Sequence, residues 1–243
     1  MEARADLLHA WDVSPSEAIA IQQRLRGLIR QEWDPMSAEV RRVAGIDVGI
    51  KKGVARAAVV VLTYPELALL DVALAEQNVS FPYVPGLLTF REGRVVLAAL
   101  ARLQVEPDLL IFDGQGVAHP RRLGIAAHIG VLVDRSSIGC AKSRLWGKHQ
   151  EPGPEKGDYA LLRDPSMSLG TDGQEVIGAV VRTRTKVKPV YVSVGHRIDL
   201  AGAIGYALGC CTRFRLPETT RLAHRAAAGE KLQLSLLPRE GKM

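Results

Sequence analysis

The chain changes from strand-like to helix-like periodicity after its first third, and this change limits the fold more than any other feature. After an opening helix, three β-rich segments lie at residues 42–48, 57–63 and 68–79. A Tyr-Pro-Glu turn signal separates the second from the third, which favours an antiparallel meander. Next come a helical segment at 91–104, a short apolar strand at 108–113 and a helix at 122–131. We therefore predict an α/β fold whose mixed sheet joins a meander to parallel strands and is flanked by helices.

The other predicted elements complete one domain. An opening helix at 14–31 begins with a capping box formed by Ser14 and Glu17. Residues 146–175 are rich in Gly, Pro and charged residues, so we predict a long surface excursion there. The remaining predictions are strands at 175–184 and 190–194 and helices at 200–208 and 217–228. Because no repeat or linker interrupts the chain, we expect a single domain over residues 1–243.

Composition narrows the class of protein. No run of 18 apolar residues and no signal-peptide pattern occurs in the 243 residues, so we expect no membrane partner. The three cysteines suit neither a disulfide framework nor a CxxC metal site, which favours a reduced, cytoplasmic location. A net charge of +6 favours a polyanionic partner such as nucleic acid. The basic residues fall in short scattered groups, which are typical either of solvated surface or of a groove lined by several loops.

Two aspartates end apolar strand-like runs. Asp47 lies within the segment AGIDV, and Asp113 follows the segment LLIF. Either residue could simply face solvent at a strand end. Alternatively, two such carboxylates on neighbouring strands would form an oxygen-ligand site, and this chemistry suits Mg²⁺. From these residues alone, both interpretations stay open.

Four further residues could carry chemistry. Glu92 lies near the start of a predicted helix, where a solvated carboxylate is the commoner explanation. His119 lies in the loop after Asp113 and could donate to a phosphate, act as a general acid or cap a helix. His224 could add a nitrogen ligand, and Lys142 could neutralise charge on a phosphate.

The segment FPYVPG at residues 81–86 is the most unusual in the chain. Its two prolines stiffen a loop that presents an aromatic side chain, Tyr83. One interpretation is a rigid turn with Tyr83 packed on the core. The other is a wedge that enters a base stack and helps to extrude a nucleotide.

Six motifs occur in order along the chain. They are VAGIDV (43–48), FPYVPGLLTFRE (81–92), DGQGVAHPRRLG (113–124), GCAKS (139–143), VSVGHR (192–197) and TRLAH (220–224). Together they resemble the endonuclease V family over about residues 15 to 228. The resemblance implies a ribonuclease H-like fold, with a mixed five-stranded sheet flanked by helices.

The resemblance also implies roles for individual residues. Asp47, Glu92 and Asp113 match the acidic metal site, and His224 stands where members place an Asp or His near the metal. Lys142 and His119 match positions near the scissile phosphate and the base pocket. The strand-separating wedge corresponds to Pro82, Tyr83, Val84 and Pro85. The pocket for the flipped hypoxanthine corresponds to Gly86, Leu88, Gly114, Gly124 and Ile125.

The implied reaction is metal-dependent nicking of DNA at the second phosphodiester bond 3′ to deoxyinosine. It would leave 3′-hydroxyl and 5′-phosphate ends, with Mg²⁺ as the cofactor and Mn²⁺ as a substitute. We expect a monomer whose nick is processed by downstream repair enzymes. Two alternatives remain: an endoribonuclease that cuts beside inosine in single-stranded RNA, and a basic nucleic-acid-binding module with a dead site.

Three departures from the family pattern stand out. Gln115 occupies a position that is often His, which puts a proton-transfer role there in doubt. Val194 replaces a frequent Pro before Gly195 and His196. Residues 229–243 lie beyond the resemblance, and we expect a flexible tail there.

Overall fold

The computed structural model describes residues 1–33, 39–166 and 175–233. The strands are β1 (Arg42–Lys51), β2 (Val54–Thr63), β3 (Leu69–Asn78), β4 (Leu109–Phe112), β5 (Ser137–Ala141), β6 (Tyr159–Arg163), β7 (Val176–Val181) and β8 (Val190–His196). The helices are α1 (Pro15–Leu25), α2 (Leu88–Leu100), α3 (Ile125–Val133), α4 (Leu200–Gly209) and α5 (Glu218–Ala227), and a short 3-10 helix (Arg26–Leu28) follows α1.

The strands form one eight-stranded sheet in the order β3-β2-β1-β4-β5-β8-β7-β6. Strands β1, β4 and β5 pair in parallel, whereas the meander β1-β2-β3 and the strands beyond β5 pair antiparallel. The predicted mixed sheet flanked by helices is confirmed. The implied number of five strands is too small, because β8, β7 and β6 extend the sheet beyond β5.

The extension also corrects the predicted surface excursion at 146–175. Within it, β6 pairs with β7 as an antiparallel hairpin, while residues 167–174 lie outside the described part of the chain. Sequence reasoning missed β6 because its exposed face carries Tyr159 and Leu161 among Gly, Pro and charged neighbours. Its opposite face buries Leu162 against Ile177 and Val180. Burial of that one face explains why so short a segment forms a strand.

Helices cover both faces of the sheet. α4 and α5 pack on one face, and α2 and α3 pack on the other. β2 is apolar on both sides: Val60 and Leu62 face the first layer, and Val59 and Val61 face the second. A strand buried on both faces reads as a continuous apolar run, which is why β2 was easy to predict.

Helix boundaries differ from their predicted positions for local reasons. The capping box at Ser14 is present, but α1 ends at Leu25 rather than at residue 31. Helix α3 begins at Ile125, three residues later than predicted, because Arg122 adopts a left-handed conformation with φ of 60°. Helix α2 begins at Leu88, three residues early, directly after the turn at Gly86, where φ is 81°. Glu92 therefore lies in the second turn of α2, not at its start.

A glycine sets the distance between α5 and β1. A Cβ atom at Gly45 would lie 2.1 Å from the backbone carbonyl carbon of Thr219. The strand and the helix therefore touch backbone to backbone, which only a residue without a side chain allows. This contact holds α5 directly over β1.

The structure also bears on the chain's surface and its C-terminal part. In the described ranges, no helix is long and apolar enough to cross a membrane. Of the tail expected at 229–243, residues 234–243 lie outside the described residues. Leu232, which is described, packs against the core beneath α4 and α5.

Candidate active site

Two aspartates lie at the same edge of the sheet. Asp47 belongs to β1, and Asp113 follows β4 directly. These strands are parallel neighbours, with Ile46 opposite Phe112. The Asp113 amide donates to the Ile46 carbonyl at 3.1 Å, which continues the pairing by one residue. The two aspartates are therefore adjacent as expected, but only Asp113 stands at a strand end, because β1 continues past Asp47 to Lys51.

Glu92 of α2 faces both aspartates. Burial first, then the Asp47 carboxylate and to a smaller extent Asp113 together raise its pKa to about 8, against a lowering influence of Arg91. Burial also raises the pKa of Asp113, against the lowering influence of Lys142. Asp47, Glu92 and Asp113 form what we call the carboxylate cluster. Its members repel one another, so the ionised cluster needs positive charge nearby.

Two basic side chains contact the carboxylate cluster. Asp47 accepts a hydrogen bond from His224 Nδ1 at 2.7 Å, and Lys142 forms an ion pair with Asp113. Both basic side chains are largely exposed at their outer ends. In the ranges that the structure describes, no three Asp, Glu, His or Cys side chains are arranged to hold a metal ion. The four-residue ligand set therefore stays a prediction, and the clustered carboxylate oxygens are of the kind that a hard cation such as Mg²⁺ prefers.

A cavity of about 430 Å³ opens beside Asp113 and Lys142. All five residues predicted for the base pocket line it: Gly86, Leu88, Gly114, Gly124 and Ile125. A Cβ atom at Gly124 would lie 2.3 Å from the Gln115 carbonyl oxygen, so this wall of the cavity is backbone packed on backbone. The cavity and the carboxylate cluster are therefore neighbours that share Asp113.

The wedge loop, residues 82–85, stands at the mouth of this cavity. Tyr83 is 70% exposed, and Phe81 just before it is buried against Leu87 and Phe90. The interpretation in which Tyr83 packs on the core is therefore wrong. Three of the four loop residues, Tyr83, Val84 and Pro85, line the cavity, whereas Pro82 is exposed outside it. The anchored, stiff loop holds an aromatic ring out toward solvent.

The carbonyl oxygen of Gly86 accepts three side-chain hydrogen bonds. They come from Gln22 Nε2 at 3.0 Å, His119 Nε2 at 2.9 Å and Arg121 Nη2 at 2.8 Å. We call these three side chains together with Gly86 the Gly86 clamp. It fixes the junction between the wedge loop and α2.

His119 is bonded to the protein through both nitrogens of its ring. The Arg121 amide donates to His119 Nδ1 at 3.1 Å, so the ring is neutral with its proton on Nε2. His119 is only 2% exposed, and burial lowers its pKa to about 4. Both ring nitrogens are used within the protein. His119 is thus part of the pocket's framework, and its contact with DNA stays a prediction.

Sequence reasoning missed Gln22 and Arg121. A signal for Gln22 was available, since it lies between Ala18 and Leu25 on the buried side of α1, at helical spacing. Gln115, where a His was expected, donates to the Ser143 carbonyl at 2.9 Å. It thus links the loop after β4 to the segment that carries Lys142.

Comparison with known proteins identifies the class and then the family. A sequence model described as Endonuclease V matches residues 23–225, which places the chain among the endonucleases. An endonuclease V from Methanothrix thermoacetophila is 52% identical over 225 residues, covering 92% of this chain and 95% of that protein. The chain belongs to the endonuclease V family.

Solved structures agree with this assignment. The crystal structure of endonuclease V from Streptomyces avermitilis is similar with a TM-score of 0.82 and 42% identity, covering 90% of this chain and 93% of that one. An endonuclease V variant from Ciona intestinalis is similar with a TM-score of 0.75 and 29% identity, covering 89% and 97%. That structure is a complex with a 23mer DNA that contains an inosine followed by a ribo-adenosine.

Proposed function

We propose that this enzyme nicks DNA at the second phosphodiester bond 3′ to deoxyinosine, as a step in DNA repair. One observation carries the proposal: a cavity walled by backbone and small side chains lies beside three clustered carboxylates and shares Asp113 with them. A base held in this cavity would bring the neighbouring phosphates of its own strand to the carboxylate cluster. The inosine-containing DNA bound by the Ciona intestinalis relative supports the same substrate.

The wedge loop supplies a route into the cavity. A base inside a duplex is stacked and paired, so an enzyme that acts on it must first extrude it. Tyr83 can take the place of the extruded base in the stack, because its ring is exposed and its loop is stiffened by two prolines. Small residues such as Gly86 and Gly124 then let backbone groups approach the edge of the base closely.

The carboxylate cluster fits Mg²⁺, with Mn²⁺ as a substitute. Asp47 and Asp113 would hold the ion, with Glu92 as a third oxygen donor and His224 at the rim. When bound, the metal polarises the phosphate and lowers the pKa of the attacking water. Relief of the repulsion among the three carboxylates would favour its binding.

The protein's own groups complete the chemistry. Lys142 would turn from Asp113 to the phosphate and offset the negative charge that builds there during hydrolysis. His224 orients the Asp47 carboxylate through its 2.7 Å hydrogen bond. Attack of water on the phosphorus would break the bond to the 3′ oxygen, which leaves as the 3′-hydroxyl, while the phosphate stays on the 5′ end of the downstream fragment. We further propose that the chain acts as one domain and as a monomer, and that other enzymes complete the repair.

The experiment that tests this function uses a labelled duplex with one deoxyinosine, an identical duplex without it, and a single-stranded RNA with one inosine. Each is incubated with Mg²⁺, with Mn²⁺ or with EDTA. We expect metal-dependent nicking one nucleotide beyond the inosine on DNA and no nick in the control duplex. Cleavage of the RNA alone would replace the proposal with the endoribonuclease alternative. Binding without any cleavage would indicate a nucleic-acid-binding module instead.

A further inference from the structure

Gln22 is a buried amide whose side-chain groups are all bonded to the protein. It is 1% exposed. Its Nε2 donates to the Gly86 carbonyl and to the Leu123 carbonyl, both at 3.0 Å. Its Oε1 accepts from Arg121 Nε at 2.5 Å. One side chain on α1 therefore bridges two segments that lie 64 and 101 residues further along the chain.

The two carbonyls that Gln22 holds belong to two segments that form the cavity lining. Gly86 lies in the lining between the wedge loop and α2. Leu123 directly precedes Gly124 and Ile125, which also line the cavity. One amide nitrogen thus holds the two lining segments at a fixed spacing. Nothing in Gln22 itself reaches the cavity, because it is absent from the lining.

The same bridge holds the wedge loop at its junction with α2. Gly86 ends the loop that carries Tyr83 and begins the turn into α2. A shift at Gly86 would therefore move the Tyr83 ring and the cavity wall together. Gly86 has a φ of 81°, so the turn depends on a residue without a side chain and on the hydrogen bonds that hold it.

We propose that Gln22 is a positioning residue that sets the width of the base pocket and couples it to the wedge loop. This inference rests on the proposed function, since it assigns Gln22 to the capture of the extruded base. Gln22 acts through Gly86 and Leu123 and takes no part in the hydrolysis. Its loss should weaken engagement of duplex substrate and leave the chemical step of bound substrate nearly unchanged.

Three variants separate this role from general stability. Gln22→Leu removes all three hydrogen bonds. Gln22→Glu keeps the size and the partner for Arg121, but it cannot donate to the two carbonyls. Gln23→Leu is the matched control, because Gln23 is the exposed neighbour on the same helix. Steady-state kinetics on the deoxyinosine duplex gives KM and kcat, and hydrogen exchange followed by mass spectrometry reports on residues 81–90 and 119–125 without substrate.

We expect Gln22→Leu and Gln22→Glu to raise KM by about tenfold, since each lost hydrogen bond costs a factor of roughly three to ten. Their kcat should change by less than about threefold, and exchange should accelerate in the two segments. Gln23→Leu should match the wild type. If Gln22→Leu does not fold, Gln22→Glu decides.

Two results would overturn the proposal. One is equal KM and equal exchange in the Gln22 and Gln23 variants. The other is a loss of kcat that parallels a loss of thermal stability, with KM unchanged, which indicates a purely structural side chain. If the wild type does not cut inosine DNA, the proposed function fails, and the exchange experiment still shows whether Gln22 holds the two segments.

Discussion

The carboxylate cluster and the Gly86 clamp both contribute to the lining of one cavity, and they differ in how fully their polar groups are compensated. In the cluster, burial and like charge raise the pKa values of Glu92 and Asp113. In the clamp, three donors converge on one carbonyl oxygen, and the amide of Gln22 is fully bonded. The cluster is electrostatically unfavourable as it stands, whereas the clamp is satisfied.

This difference separates two requirements of the proposed reaction. Chemistry on a phosphate needs groups whose charge is incompletely compensated, so that they can respond to a cation and a substrate. Selection of a base needs walls that do not move, and satisfied buried hydrogen bonds provide such rigidity. Changes to the cluster should therefore affect rate more than stability. Changes to the clamp should affect stability and substrate engagement more than rate.

The largest effect is expected from Asp113→Asn. Cleavage of inosine DNA should fall by more than about a thousandfold, because a carboxylate that would hold the cation becomes a neutral amide. The melting temperature should stay equal or rise, since the change removes a buried like charge. Asp71→Asn, a change on β3 away from the cluster, serves as the control. If Asp113→Asn retains activity, Asp113 is not needed for hydrolysis, and the assignment of the chemistry to the carboxylate cluster is wrong.

A second effect is expected in the free energy of unfolding at low pH, through His119 of the clamp. Because the pKa of His119 is about 4 in the folded state and about 6.5 when unfolded, the unfolded state binds the proton more readily. The stability contribution is present above the unfolded pKa and is lost as the pH falls from about 6.5 toward about 4. Between about pH 7.5 and about pH 5 the loss should be roughly 2 kcal/mol. Urea unfolding measures it.

His119→Gln sharpens this prediction. The amide keeps a donor for the Gly86 carbonyl but does not titrate in this range. The variant should show a smaller loss of stability between the two pH values than the wild type. His224→Gln is the matched control, because His224 is exposed in the cluster. An unchanged pH dependence in His119→Gln would show that His119 is not neutral in the fold as the clamp requires.

A third effect is expected from Tyr83→Ala in the wedge loop. On a deoxyinosine duplex, kcat/KM should fall by roughly tenfold to a hundredfold, in line with the loss of a stacking side chain. On a single strand with the same lesion the fall should be slight, since no duplex has to be opened. Tyr159→Ala is the control, because Tyr159 is 54% exposed on β6, away from this cavity. Equal losses on both substrates would assign Tyr83 to general DNA binding.

How much could be predicted from sequence depended on the range of the interactions. The capping box at Ser14, the apolar run of β2 and the strand-end position of Asp113 are local patterns, and each is present in the structure. Strand β6 could not be predicted, because its stability depends on pairing with β7 and on one buried face. The sequence indicated that His119 in the loop after β4 is a candidate site residue, but it did not indicate the hydrogen bonds that the ring makes.

The candidate site shows the same limit. The parallel pairing of β1 and β4, with Ile46 opposite Phe112, brings Asp47 and Asp113 together. The partners of His119 come from Gly86 and Arg121, and the side chain of Gln22 joins them from the first helix. No spacing rule relates a helix to a loop 64 residues away. Contacts of that kind are decided by the packed fold.

The close contact at Gly45 limits which substitutions the chain can accept. Helix α5 carries His224, and its backbone rests on β1 two residues before Asp47. An added methyl group would have to displace the helix, and the hydrogen bond between His224 and Asp47 would lengthen with it. Glycine is thus required at this position by the placement of two other residues, Asp47 and His224, which we propose to act at the metal site. Selection for activity would therefore act at residue 45 through the distance between β1 and α5, although Gly45 has no chemical role itself.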